Sequence, residues 1–98
     1  MSAVEVVNKP HRSRYEALVD DNVAGFAEYR MDGEDMVFTH TEVDDAYEGQ
    51  GVGSRLVRGA LDDVRRQGRQ IEAQCPFVHS YIHRHAEYQD LLRSPSES

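Results

Sequence analysis

The chain has 98 residues, a formal net charge of −7 and a single cysteine, Cys75. That length supports one modest core and not two, and the charge excludes general binding to nucleic acid or to an anionic membrane surface, which needs a basic footprint. Its 39% hydrophobic and 30% charged residues are those of a folded domain, no run approaches the ~20 apolar residues of a membrane span, and one cysteine allows no internal disulfide.

The first half reads as strands. Val4 to Val7 is a short β-branched run. Arg12 to Asp20 carries Tyr15, Ala17 and Val19 at period two, and Asp21-Asn22 suits a tight turn. Val23 to Met31 puts Val23, Ala27, Tyr29 and Met31 on one face, with Gly25 as a candidate bulge. Asp32-Gly33 is a hairpin signal. Met36 to Val43 alternates again, with Met36, Phe38, His40 and Glu42 on one face and Val37, Thr39, Thr41 and Val43 on the other.

The period then changes. Val52, Leu56, Val57, Ala60, Leu61 and Val64 form one helical stripe, and Gly68 stands where a C-terminal cap is expected. Gln70 to Cys75 reads as a short strand with Ile71, Ala73 and Cys75 inward. Pro76 suits the first turn of a last helix, whose apolar face is Phe77, Val78, Tyr81 and Ile82. The order predicts an α+β domain: an antiparallel meander followed by a strand–helix–strand unit with parallel strands. One domain is expected over residues 1–98, with a core of about 4–92 and a frayed polar tail at 93–98.

Glu48-Gly49-Gln50-Gly51-Val52-Gly53 lies between strand and helix. The first amides of a helix have no intrahelical partner and sit at the positive pole of its dipole, so they suit an anion. Glycines let a phosphate approach the backbone closely. The loop lacks the lysine and hydroxyl residue of a P-loop. Taken alone it is equally an ordinary turn.

The segment Glu42 to Leu56 resembles the coenzyme A signature of the GNAT superfamily of N-acetyltransferases: arginine or glutamine, two residues, glycine, one residue, then glycine or alanine. Gly51 and Gly53 match its last fixed positions, and Glu48 stands where arginine or glutamine is usual. Phe38 to Val43, Cys75-Pro76-Phe77-Val78, Tyr81-Ile82 and Glu87 to Leu91 resemble a small single-domain branch, so the likeness covers roughly residues 12 to 92. It implies an abbreviated GNAT fold in which the strands flanking the glycine-loop helix splay apart. Acetyl coenzyme A, as co-substrate, would lie in the gap. Its pantetheine arm would pair with the backbone of Thr41 to Val43, and its pyrophosphate would rest on Gly49, Gln50, Gly51, Val52, Gly53 and Ser54.

The resemblance also implies transfer of an acetyl group to an amine, either a small molecule or an exposed lysine. His40 has a suitable ordinary pKa for a general base, and Glu42 could act beside it; each also reads as a strand residue at the sheet surface. Cys75 precedes the Pro76 helix, where a thiolate is stabilised, and could accept the acetyl group; it equally reads as a small buried core residue. Tyr81, ahead of Tyr88, is the candidate acid for the departing thiolate, although both could simply pack. His79 and His83 have helical metal-ligand spacing, but no set of ligands completes a site, so no metal is expected. No helix pair follows the first strand, so the acceptor side should be open or completed by a protein partner or second subunit. The competing reading is a coenzyme A or acyl-coenzyme A binding module without catalysis. The single cysteine and the absence of a signal-peptide pattern point to a reducing, cytoplasmic location.

Overall fold

The computed structural model describes residues 3–93. Strands β1 (Val4–Lys9), β2 (Arg14–Val19), β3 (Asn22–Asp32) and β4 (Asp35–Val43) lead into α1 (Val52–Arg66), β5 (Ile71–Ala73) and α2 (Pro76–Arg84). Three 3-10 turns intervene, at Pro10–Arg12, Asp45–Tyr47 and Ala86–Leu91. The sheet runs β1-β2-β3-β4-β5, with β1 to β4 antiparallel and β5 parallel to β4. This is the expected α+β architecture.

The local chemistry accounts for most boundaries. The β2–β3 turn is Asp20-Asp21, both at positive φ, one residue ahead of the expected Asp21-Asn22. Acidic short side chains tolerate that conformation. Gly68 adopts φ 70°, its N–H bonds Arg65 O, and Arg69 N–H bonds Val64 O. That pair of bonds closes α1 with the expected glycine cap. The strand expected to begin at Arg12 begins at Arg14, because Pro10 to Arg12 form a turn ending in Ser13 at positive φ.

Both helices cover one face of the sheet. Tyr15, Ala17, Ala27, Tyr29, Met36 and Phe38 share a core there with Leu56, Leu61 and Val64 of α1 and Val78, Tyr81 and Ile82 of α2. Alternation turns Arg14, Glu16, Phe26, Glu28, His40 and Glu42 to the opposite face, which carries no helix among the described residues. Glu16 is buried there beneath Arg14, 2.7 Å away, and Arg12, 3.4 Å away.

The bulge in β3 falls at Ala24 rather than Gly25: Ala17 pairs with Gly25 and Leu18 with Val23. Val23 is consequently exposed and Ala24 is in the core. Gly25 serves a different need, since a Cβ there would lie 2.8 Å from Glu42 O.

Gly59 lets α1 sit directly on β1, because an added Cβ would lie 2.7 Å from Val6 Cβ. Gly59→Ala is expected to destabilise the fold by about 1–3 kcal/mol by overpacking, outweighing its helix-propensity gain of at most ~1 kcal/mol. Urea denaturation checks this; a stabilised variant would refute it.

Arg93, expected in the frayed tail, is docked instead. Its guanidinium reaches Glu72 at 2.7 Å, Asp32 at 2.9 Å and Asp35 at 3.3 Å. The rest of the expected tail, 94–98, lies outside the described residues.

Tyr15 O–H donates to Asp63 at 2.7 Å, joining β2 to α1. Partial burial pushes the Asp63 carboxyl up, but bonds from Tyr15, Gln67 and Arg66 outweigh this and hold it below its ordinary value of 3.8. A carboxyl depressed on folding adds stability that is present above its unfolded pKa and lost as pH falls through its folded one. Tyr15→Phe should therefore lose about 1 kcal/mol at pH 7 and show a shallower loss of stability than the parent below about pH 4. Denaturation curves at pH 7, 4 and 3 measure both.

Candidate active site

The site begins where β4 and β5 part. They pair from Met36↔Ile71 to Phe38↔Ala73. Phe38 O then accepts from both Gln74 N, at 2.9 Å, and Cys75 N, at 3.1 Å. Pro76 follows and starts α2, so the chain leaves the sheet while β4 continues to Val43.

That divergence leaves an open backbone edge. Asp44 N–H donates to Ala24 O on the β3 side. Alternation then turns the N–H and C=O groups of Thr41 and Val43 away from β3, into the gap that β5 vacates. An extended amide-bearing ligand can pair with them like an added strand.

The side chains divide differently from the expectation. Glu28 pairs with His40 and Tyr29 with Phe38, so Thr39 is an extra residue in β4. This bulge reverses the alternation beyond it. Thr41 and Val43 consequently join Met36 and Phe38 on the helix face, while His40 and Glu42 take the opposite one. Cys75, 4% exposed, has its Sγ 3.2 Å from Thr41 Oγ1, with the thiol as donor. His40 Nε2 lies 2.7 Å from Glu42 Oε2, both side chains more than half exposed, and the His40 ring neighbours Phe26. The sequence grouped His40, Glu42 and Cys75 around one point. The structure sets them in two pairs on opposite faces.

Tyr81 stacks on His85 with ring centroids 3.9 Å apart, and its hydroxyl has no hydrogen-bond partner among the described residues. Burial pushes the Tyr81 pKa up, so the group holds its proton at neutral pH. Tyr88 is committed elsewhere: its O–H donates to Asp62 at 2.7 Å, and burial together with that carboxylate raises its pKa to about 12. His85 Nδ1 lies 2.8 Å from Tyr81 O, and its spacing of four from Tyr81 was the sequence signal for that contact. His79 and His83 stack in parallel and border a cavity of about 310 Å³. No group of three or more metal-binding side chains occurs among the described residues.

In the loop, Gly49 and Gly51 take φ of 80° and 76°, and Gly51 is the N-cap of α1. Gln50, Gly51 and Ser54 are exposed, whereas Val52 and Gly53 are buried. Glu48 is exposed beside them. The third glycine answers to packing: a Cβ on Gly53 would lie 2.6 Å from Phe77 Cζ and 3.3 Å from Val43 Cγ2.

A meander leading into a splayed parallel pair, with an open edge that ends at a glycine-capped helix, defines an α+β domain with a gap between two of its strands. The chain belongs to the GCN5-related N-acetyltransferase family, whose model matches residues 14–91. It is similar to Protein NATD1 of Gallus gallus and of Homo sapiens, each 37% identical over 43 residues. That match spans 44% of this chain but only 39% and 38% of those relatives' lengths. The solution structure of a GCN5-like protein from Staphylococcus aureus superposes with a TM-score of 0.70 and 25% identity, covering 99% of this chain and 95% of that one. A ribosomal-protein-alanine N-acetyltransferase from Brucella melitensis shares the fold, with a TM-score of 0.58 and 18% identity over 87% of this chain and 64% of that one.

Proposed function

We propose that this N-acetyltransferase domain takes an acetyl group from acetyl coenzyme A and passes it to an amine. The observation that carries the donor reading is the open edge of Thr41 and Val43, running from Cys75 to the first amides of α1. The edge suits the amides of a pantetheine arm. The amides from Gln50 to Ser54 suit a pyrophosphate, and the residues present fit the donor without a metal.

Cys75 accepts the acetyl group. Its thiolate adds to the thioester carbonyl, the new C–S bond forms, and the coenzyme A thiolate leaves and is protonated. Tyr81, still carrying its proton, is the candidate donor. The amine approaches from the uncovered face, where His40, paired with Glu42, takes its proton; its nitrogen then attacks the acetyl carbon, the C–N bond forms, the C–S bond to Cys75 breaks and the Cys75 thiolate is restored. This gives the two pairs separate tasks across a gap in the sheet. The acceptor is a small amine or an exposed lysine, and a partner or second subunit can complete the open side.

The small size, the open acceptor side and Glu48 in place of the usual cation or amide also permit a second reading, a coenzyme A or acyl-coenzyme A binding module without catalysis. Incubation with acetyl-labelled coenzyme A separates the two. Retained label on Cys75, or a labelled amine, supports the enzyme; coenzyme A binding without either supports the module.

A further inference from the structure

Phe77 has no part in the chemistry above, yet its ring packs between the open edge of β4 and the first turn of α1. It is 39% exposed, one of the few large apolar side chains left in solvent. Its ring edge lies against Gly53 so closely that a Cβ there would meet Cζ at 2.6 Å, and Val43 Cγ2 closes the same point at 3.3 Å. Val43 belongs to the open edge of β4, and Gly53 to the first turn of α1. On the donor reading above, a ligand running from Cys75 along that edge to the helix N-terminus passes where these three residues meet. Gly53 is buried in this arrangement, so its backbone lies covered while the ring stays in place.

We infer that Phe77 gates the donor path: its ring, docked between Gly53 and Val43, has to turn aside for the pantetheine arm to pass and then lies along it. The inference rests on the donor reading above. Three features support it. The ring hangs from the first turn of α2, two residues after Cys75, so a change of its side-chain rotamer moves it without moving the sheet. Its outward side is already in solvent, which gives it somewhere to go. Gly53 lets it dock on bare backbone with no side chain interlocked, so release breaks few contacts.

A gate of this kind acts on association. The apparent on-rate is reduced by the fraction of molecules with the ring aside, and removing the ring restores it. A residue that merely walled the channel would, when truncated, raise the off-rate and leave the on-rate unchanged. Surface plasmon resonance with coenzyme A as the analyte, on the parent, Phe77→Ala, Phe77→Leu and Phe77→Trp, reads both rates. Phe77→Ala is expected to raise the on-rate about fivefold, Phe77→Leu less, and Phe77→Trp to lower it. Thermal melts of all variants verify folding; because Phe77 is partly exposed, Leu keeps the apolar cover if Ala does not. An on-rate for Phe77→Ala or Phe77→Leu equal to or below that of the parent overturns the gate while leaving the donor reading intact. A parent protein that binds no coenzyme A overturns both.

Discussion

Cys75→Ala is expected to abolish covalent retention of label from acetyl-labelled coenzyme A and to slow acetyl transfer by at least roughly 10³-fold. Coenzyme A affinity should change little. The asymmetry follows from the geometry. The open edge of Thr41 and Val43 and the amides of α1 belong to the backbone and do not depend on the thiol. The thiol at the head of α2, 3.2 Å from Thr41 Oγ1, is the nucleophile of the proposed reaction. The change is small and apolar at a buried position, so folding should persist. Full-rate transfer by the variant would mean that the amine attacks the donor directly, with His40 and Glu42 sufficient. Thr41→Val tests the same pair more gently by removing the thiol's partner.

Phe38→Ala should have the largest effect on stability. Phe38 is 1% exposed and its ring lies 6.2 Å from those of both Tyr15 and Tyr29. Truncating such a core aromatic costs about 3–5 kcal/mol, a large share of the ~5–15 kcal/mol that holds a typical domain. For a domain of this size that corresponds to a fall in Tm of roughly 12–40 °C. The consequence reaches the site, because Phe38 O anchors both Gln74 N and Cys75 N where the strands separate. A melt within a few degrees of the parent would show that this core relaxes far more than its packing implies.

The meander, the amphipathic helix, the Gly68 cap and the Pro76 helix start were legible because each rests on local chemistry: side-chain period, a left-handed glycine, a missing N–H. The two faces of β4 were not. Strict alternation through Met36 to Val43 placed His40 and Glu42 with Phe38, and one extra residue at Thr39 undid this. Nothing about threonine marks a bulge; it arises from how β3 and β4 register. The docking of Arg93 was hidden for a similar reason, since its three carboxylate partners lie on β5 and at the β3–β4 hairpin, far away in sequence. Gly53 was legible as a required glycine, but not why. Besides any phosphate approach, packing demands it, because its neighbours are Phe77 and Val43.

The glycine loop and the open edge of β4 together form the central claim, and a titration of ¹⁵N-labelled protein with coenzyme A tests it residue by residue. Saturable amide shifts at Thr41, Val43, Gly51, Gly53 and Ser54 are the predicted result. An absence of binding, or shifts confined to the cavity bordered by His79, His83 and Leu92, would contradict it.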